Sequence, residues 1–301
     1  MRRVLVTGGS GFIGGHLVRA LVEAGDDVFA VSRRRREDGG AGWLAVDLSD
    51  GMSARTVFQD IEPEIVFHLA GFVSGSRDLS AVAPSLRDNV VASVNVLVES
   101  ARSGARIVLA GSMEEPGPGA AGPASPYAAA KTSVAAHAAM LHSLHALSVV
   151  TMRLFMVYGP AQHDRSKLVP YVVSSLLNGV PPQLSSGLRP VDWIYVDDVV
   201  RALVDVAARD DVAGETLDIG SGELTTVRAL VECIASMIDS SAQPAFGVLP
   251  DRPSEVVRVA DVESTRRAIG WEPAVALDEG LRRTVEWYRA DAPVPEGASH
   301  T

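Results

Sequence analysis

Tyr127 and Lys131 stand four residues apart in SPYAAAK, residues 125–131. On a helix this spacing puts a phenol and an ammonium on one face. An unperturbed phenol, titrating at about 10, is a poor acid–base group at neutral pH. A neighbouring ammonium stabilises the phenolate and lowers that value. Of 27 basic residues only Lys131 and Lys167 are lysine. A compact ammonium rather than a planar guanidinium at 131 therefore marks a position where the shape of the cation matters. A hydroxyl at the end of the strand before this helix would complete the set, and Ser112 in IVLAGSMEEPG is so placed. Alone it would be a loop or cap serine. Beside Tyr127 and Lys131 it is a hydroxyl for a carbonyl oxygen, at the carboxyl end of a strand where open α/β sheets bind ligands.

These groups need a redox partner, and VTGGSGFIGGHL offers a place for one. Gly8, Gly11 and Gly14 recur at three-residue intervals between a strand and a helix. A dinucleotide pyrophosphate needs a tight turn, close backbone approach and the free N–H groups of a helix N-terminus. Phe12 and Ile13 would anchor that helix start beside the cofactor. A glycine turn demanded only by packing is the alternative, but strand, turn and helix all stand in the required order. The ammonium of Lys131 could then also hold ribose hydroxyls of a nicotinamide cofactor. At the end of the second strand, where an acidic residue would accept from the ribose of NAD, VFAVSRRRRE has Ser32 and Arg33. A hydroxyl and a guanidinium suit the 2′-phosphate of NADP. Residues 34–36 are read as a solvated loop.

The elements that must position these groups follow from apolar periodicity. Short β-branched runs at 4–6, 28–31, 43–46, 65–68 and 107–110 alternate with helical patterns, including a long one over 79–103. This is a doubly wound α/β fold with a parallel sheet covered on both faces. Beyond residue 153 the pattern loosens. Helices are expected over 167–178, 197–208, 227–238, 262–269 and 277–288, and strands over 192–196, 216–219 and 245–249, the first of these returning to the main sheet. The chain thus divides into a dinucleotide-binding domain over 1–158 with 191–215 returning to it, and a smaller α/β substrate domain from 159–190 and 216–289. Residues 290–301 are expected to be a disordered tail.

Composition excludes several functions. The net charge of −10 argues against nucleic acid as partner. Cys233 is the single cysteine, so no disulfide or cysteine-rich metal site forms within the chain. No apolar window reaches the length of a membrane span and no secretory leader is visible, so a cytoplasmic protein is expected. His137, His142 and His145 have no evident carboxylate partner and are read as surface or interface residues; no metal is expected.

At this point the chain resembles the extended short-chain dehydrogenase/reductases of the nucleotide-sugar epimerase/dehydratase type. The resemblance covers about residues 1–289 and rests on TGGSGFIG, FHLAG, RDNVVASVN, Ser112, SPYAAAK, RLFMVYGP, KLVP, DWIYVDDV, RPSE and GWEP. It implies a Rossmann domain with cofactor contacts from Asp47 and Leu48 near adenine and from Leu69, Ala70 and Gly71 beside the pyrophosphate. It implies an NDP-sugar between the domains, met by Arg77, Asn89, Arg189, Arg252 and Glu255. It also implies a homodimer through the helices near 79–103 and 125–146, the second of which is apolar or small on most of its circumference.

Within the family, dehydratases of the dTDP-glucose kind carry an Asp–Glu pair after the catalytic hydroxyl, where this chain has Met113 and Glu114. A thioether delivers no proton. GSMEEPG and RPSEV are similar instead to segments of GDP-4-keto-6-deoxymannose reductases. The expected reaction is NADPH-dependent reduction of an NDP-4-keto-6-deoxyhexose at carbon 4, with Ser112, Tyr127, Lys131 and Glu114 in the catalytic centre. A 4-epimerase, a 4,6-dehydratase, a reductase of non-sugar ketones and a catalytically idle NADP-binding protein stay open as alternatives. Met156 replaces the family's asparagine and Val191 the arginine before DW. Only 15 positions separate Ser112 from Tyr127, which predicts a short, open rim.

Overall fold

The computed structural model describes residues 1–34, 36, 40–117, 122–251 and 257–291. Its strands are β1 (Arg3–Thr7), β2 (Asp27–Ser32), β3 (Gly42–Ala45), β4 (Ile65–His68), β5 (Arg106–Ser112), β6 (Val149–Leu154), β7 (Met156–Tyr158), β8 (Pro190–Tyr195), β9 (Thr216–Ile219) and β10 (Leu224–Thr226). The helices are α1 (Phe12–Glu23), α2 (Gly51–Ile61), α3 (Val82–Ser85), α4 (Ala92–Ser103), α5 (Pro126–His145), α6 (Leu168–Leu177), α7 (Val196–Ala207), α8 (Val227–Met237), α9 (Val262–Ile269) and α10 (Leu277–Asp291).

Seven parallel strands form the main sheet in the order β3-β2-β1-β4-β5-β6-β9. Val4, Leu5 and Val6 are wholly buried, and β5 is buried along its whole length. Such strands cannot sit at a one-sided surface, and helices cover both faces. Leu17, Val18 and Leu21 of α1 with Leu203 and Val206 of α7 pack on one face. Val57 and Phe58 of α2, Val96 and Leu97 of α4, and Val134 and Leu141 of α5 pack on the other. The fold is therefore doubly wound and Rossmann-like. Because β1 is followed by β2 on one side and neighbours β4 on the other, strand order reverses there, and the crevice opens over the carboxyl ends of these two strands.

A three-stranded sheet, β10-β8-β7, joins α6, α8 and α10 around a separate apolar core that includes Tyr158, Trp193, Leu230 and Leu281. Here the strand expected over 192–196 departs from the reading. It does not return to the main sheet but pairs with β7 and β10, and β9 takes the place beside β6. Ile194 of the strand and its continuation, α7, pack in the large core. Periodicity identifies an apolar strand without naming the sheet it joins. Asp192 decides the placement. Its buried carboxylate accepts from the N–H and hydroxyl of Ser221 and from the N–H groups of Gly222 and Ala260, tying β8 to the chain after β9.

Smaller differences have local causes. The strand expected over 245–249 shrinks to one bridge from Ala245 to Gln183, since Gly247, at φ +78°, turns the chain. The long helix over 79–103 is broken into a 3₁₀ turn (Leu79–Ala81), α3, a π turn (Leu86–Val91) and α4. α10 runs to Asp291, two residues into the expected tail; residues 292–301 lie outside the described residues. No helix among the described residues is long and apolar enough to cross a membrane.

Candidate active site

A cleft of about 1670 Å³ runs over the carboxyl ends of the main sheet and between the two cores. A single small-molecule pocket occupies roughly 300–1,000 Å³, so this cleft has room for two ligands side by side. At one end the chain turns from β1 into α1. Gly8 has φ +72°, and a Cβ there would lie 2.6 Å from the backbone nitrogen of Ala70. A Cβ on Gly14 would lie 2.1 Å from Gly8 O. Gly11 caps α1 without a side-chain acceptor, so the first N–H groups of the helix are left for an anion. This backbone cradle fits a dinucleotide pyrophosphate. Phe12, Ile13, Leu48, Leu69, Ala70 and Gly71 line the cleft with these glycines.

The adenosine end is more polar. Asp47 lines it, and Ser49 donates both hydroxyl and N–H to Asp47 Oδ1, holding that carboxyl below its ordinary range. Arg33 is 65% exposed and donates to Asp88 Oδ2 at 3.0 Å across the cleft mouth. Asp88 also accepts from Arg87 at 2.6 Å. Ser32 lines the cleft, but its hydroxyl donates to the carbonyl of Arg34 rather than outward, so of the two residues it is the arginine that presents donors.

Ser112, Glu114, Tyr127 and Lys131 come together in the middle of the cleft. Ser112 ends β5. α5 begins with Ser125 as N-cap, its hydroxyl accepting from Ala128 N–H at 3.0 Å, and Pro126 follows at the first helical position. This fixes Tyr127 and Lys131 on the turns nearest the strand end. The Ser112 hydroxyl lies close enough to the Tyr127 phenol to favour its ionised form. Lys131, 7% exposed, donates to Ala110 O at 2.6 Å, and its Nζ lies 5.8 Å from the Tyr127 ring centroid. Glu114 N–H donates to Ser112 Oγ, and the Glu114 carboxylate accepts from Ser125 Oγ at 3.0 Å. Met113 is 4% exposed and packs in the large core.

The charge pattern departs from one expectation. Burial pushes the Tyr127 phenol above its ordinary value, with Ser112 opposing and the two glutamates adding to the rise. Lys131 does not reverse this; burial lowers its own ammonium to about 8. Beneath the cleft, Thr7, His68 and Ser93 form a buried chain, Thr7 Oγ1 to His68 Nδ1 at 2.7 Å and His68 Nε2 to Ser93 Oγ at 2.8 Å. Burial holds that imidazole neutral, at about 3.

Of the residues expected at the substrate, Arg77 and Arg189 line the cleft. Asn89 does not. It is 1% exposed and clasps the main chain of Phe72, accepting from its N–H at 2.7 Å and donating to its carbonyl at 3.0 Å. Arg252 and Glu255 lie outside the described residues. Met156 and Val191, the two departures from the family pattern, both line the cleft wall. Lys167, Tyr171 and Trp193 line it too and were not anticipated; only Lys167 gave a signal, as the chain's other lysine. Among the described residues no group of three or more His, Cys, Asp or Glu is arranged to hold a metal ion.

Comparison with known proteins agrees with this geometry. The model of the NAD dependent epimerase/dehydratase family matches residues 4–220. The chain is 32% identical to a UDP-glucose 4-epimerase of Mycolicibacterium smegmatis, over 95% of this chain and 98% of that protein. It is 29% identical to a dTDP-glucose 4,6-dehydratase of Neisseria meningitidis, over 96% and 93%. A solved UDP-glucose 4-epimerase of Thermotoga maritima, with UDP-glucose, superposes with a TM-score of 0.89 at 28% identity, covering 96% of this chain and 99% of that one.

Proposed function

The chain belongs to the NAD dependent epimerase/dehydratase family, and from that premise we propose that it reduces carbon 4 of an NDP-4-keto-6-deoxyhexose with NADPH. The observation that carries the reading is the convergence of Ser112, Tyr127 and Lys131 beside the glycine cradle. When bound, the nicotinamide cofactor supplies hydride. The protein's own residues do the rest. The hydroxyl of Ser112 donates to the carbonyl oxygen and orients it. Tyr127 delivers the proton that oxygen needs as it becomes an alcohol. Lys131 holds ribose hydroxyls with the donors not engaged by Ala110 O. Arg77 and Arg189, which line the cleft, supply cations for the diphosphate.

The surroundings of Ser112 argue against 4,6-elimination. That reaction needs an acid at position 113 for the carbon 6 hydroxyl, and Met113 is a buried thioether. A second reading, 4-epimerisation, is favoured by the similarity to UDP-glucose 4-epimerases. It differs in consuming no net cofactor. An NADPH-oxidation assay over a panel of NDP-sugars, NDP-4-keto sugars and apolar ketones separates the two. Net oxidation with a 4-keto sugar supports reduction; interconversion of NDP-hexoses without it supports epimerisation.

The preference for NADP(H) over NAD(H) rests on Arg33. Arg33→Ala is expected to weaken NADPH binding about tenfold, the loss of one charge-assisted hydrogen bond, while leaving NADH nearly unchanged. Fluorescence titration with both cofactors checks this, and equal losses would remove Arg33 from the reading.

Six large apolar side chains are exposed on the helices expected at a dimer interface: Leu79, Val82, Leu86 and Val91 before α4, and Met140 and Leu144 on α5. We take this surface as the contact of a homodimer. Light scattering at micromolar concentration should give twice the chain mass of 31.7 kDa. A monomer at that concentration contradicts it.

A further inference from the structure

Two glutamates follow Ser112, and they turn in different directions. Glu114 meets Ser125 in the cleft. Glu115 folds back under the end of β5 and is 6% exposed. Its Oε1 accepts from the N–H of Ser112 at 2.7 Å. A Cβ at position 111 would stand 2.8 Å from that oxygen, so Gly111 leaves the space the carboxylate fills.

The other oxygen faces a buried charge cluster. Arg153, paired in register with Gly111 on the neighbouring β6, brings Nε to 3.7 Å from Glu115 Oε2. Its closer partner is Asp218 on β9, at 2.6 Å. Arg258 donates to the main-chain carbonyl of Glu115 at 3.1 Å, not to the carboxylate. Arg153 is thus spent mainly on Asp218, and among the described residues its 3.7 Å approach is the one ion pair Glu115 makes. Lys131 reaches the same strand end, donating to a neutral acceptor, Ala110 O, one residue before the Gly111 that makes room for the carboxylate.

We propose that Glu115 is a positioning residue of the active site, fixing Ser112 through its main-chain N–H and acting as the buried counter-charge of the Lys131 ammonium. The proposal rests on the roles assigned above to Ser112 and Lys131. The groups facing this pair are Tyr127 on α5, His68 on β4, Glu114 after β5, Arg153 on β6 and Arg258. Burial lowers the Lys131 ammonium, and Glu115 is the group that raises it. Burial in turn raises the Glu115 carboxyl, opposed by Ser112 N–H, Arg153, Lys131 and Arg258. Glu115 also helps keep the Tyr127 phenol protonated.

The sign of the effect is the same at both sites. Removing the charge lets Lys131 deprotonate, and Tyr127 ionise, at lower pH. Reduction needs both protons in place, so its alkaline limb should move to lower pH.

Glu115→Gln keeps the size and the acceptor for Ser112 N–H while removing the charge. The chain's two lysines make Lys131 directly readable. With lysine labelled at ¹³Cε, Lys131 and Lys167 give two titrating signals, assigned by Lys167→Arg. Lys131 in the unaltered protein should titrate near 8, and in Glu115→Gln about one pH unit lower or more, with Lys167 unmoved. Glu115→Asp, which retains the charge, should bring the titration back toward the unaltered value. The alkaline limb of kcat for NADPH oxidation should fall with Lys131 in Glu115→Gln. The same Lys131 titration with and without the Glu115 charge would overturn the proposal. So would a Glu115 carboxyl that, followed by its ¹³Cδ shift in the unaltered protein, stays protonated up to about pH 8, where Lys131 titrates, since a neutral carboxyl is no counter-charge; that measurement needs no variant to fold. The titration reads the charge on Lys131 whatever the substrate is, so a mistaken substrate does not disturb it.

Discussion

Tyr127→Phe is expected to lower turnover by about 10²–10⁴-fold, the usual contribution of a positioned proton donor, with cofactor affinity nearly unchanged. The substitution removes one oxygen, the one beside Ser112, and leaves the ring against Lys131. Lys131 keeps its bond to Ala110 O and with it the position proposed for binding ribose. The raised pKa of the phenol is consistent with a donor, because a group that acts as an acid must enter the reaction protonated. Glu114 sits close enough to raise that pKa further, yet its carboxylate is engaged by Ser125. Glu114→Gln should therefore cost far less than Tyr127→Phe. Steady-state kinetics with fluorescence titration of NADPH give both numbers. A loss of less than threefold in Tyr127→Phe would mean that the proton comes from elsewhere.

Gly8→Ala should remove cofactor binding and lower stability together. The position combines two costs that usually occur apart. At φ +72° a residue with a Cβ is strained by about 1–3 kcal/mol. The new Cβ would also press on backbone, at 2.6 Å from Ala70 N and 2.8 Å from Leu69 C, where no side chain can swing aside. Overpacking of that kind adds about 1–3 kcal/mol. Relief can come only by moving the β1 turn away from the end of β4, and these two segments line the cleft on either side of the strand reversal. NADPH titration should show no saturable binding, and thermal unfolding should begin several degrees lower. A variant that melts with the unaltered protein and binds NADPH normally would show that the turn is not the cradle described.

What could be read from sequence was chemistry carried by neighbouring residues. The glycine turn, Tyr127 with Lys131, and the apolar strands each rest on spacings of a few positions, and the backbone enforces those spacings locally. Misreadings arose where direction or long-range pairing decides. Asn89 sits in a motif that suggests substrate contact, but its amide faces inward to Phe72 because the π turn from Leu86 to Val91 aims it there. Ser32 stands at the right strand end with its hydroxyl turned onto Arg34 O. β8 has the pattern of a sheet strand, and nothing local tells which of two sheets takes it. α2 escaped the reading although Asp50 caps it by accepting from Ser53 N–H and Ala54, Val57, Phe58 and Ile61 form its buried face. Its polar residues and glycine start obscure that stripe. Glu115 escaped the reading as well, because it folds back into space that Gly111 leaves and nothing in the local pattern marks that direction.

The central claim is that hydride passes between NADPH and carbon 4 of a nucleotide sugar, with Tyr127 completing the alcohol. The most direct measurement uses NADPH deuterated at the transferring position of the nicotinamide, with an NDP-4-keto-6-deoxyhexose as acceptor. One deuterium per NADPH oxidised should appear at carbon 4 of the product and none at carbon 5, with the rate collapsing in Tyr127→Phe. Deuterium from solvent entering carbon 5, dependent on Glu114 and without net NADPH oxidation, would contradict the account.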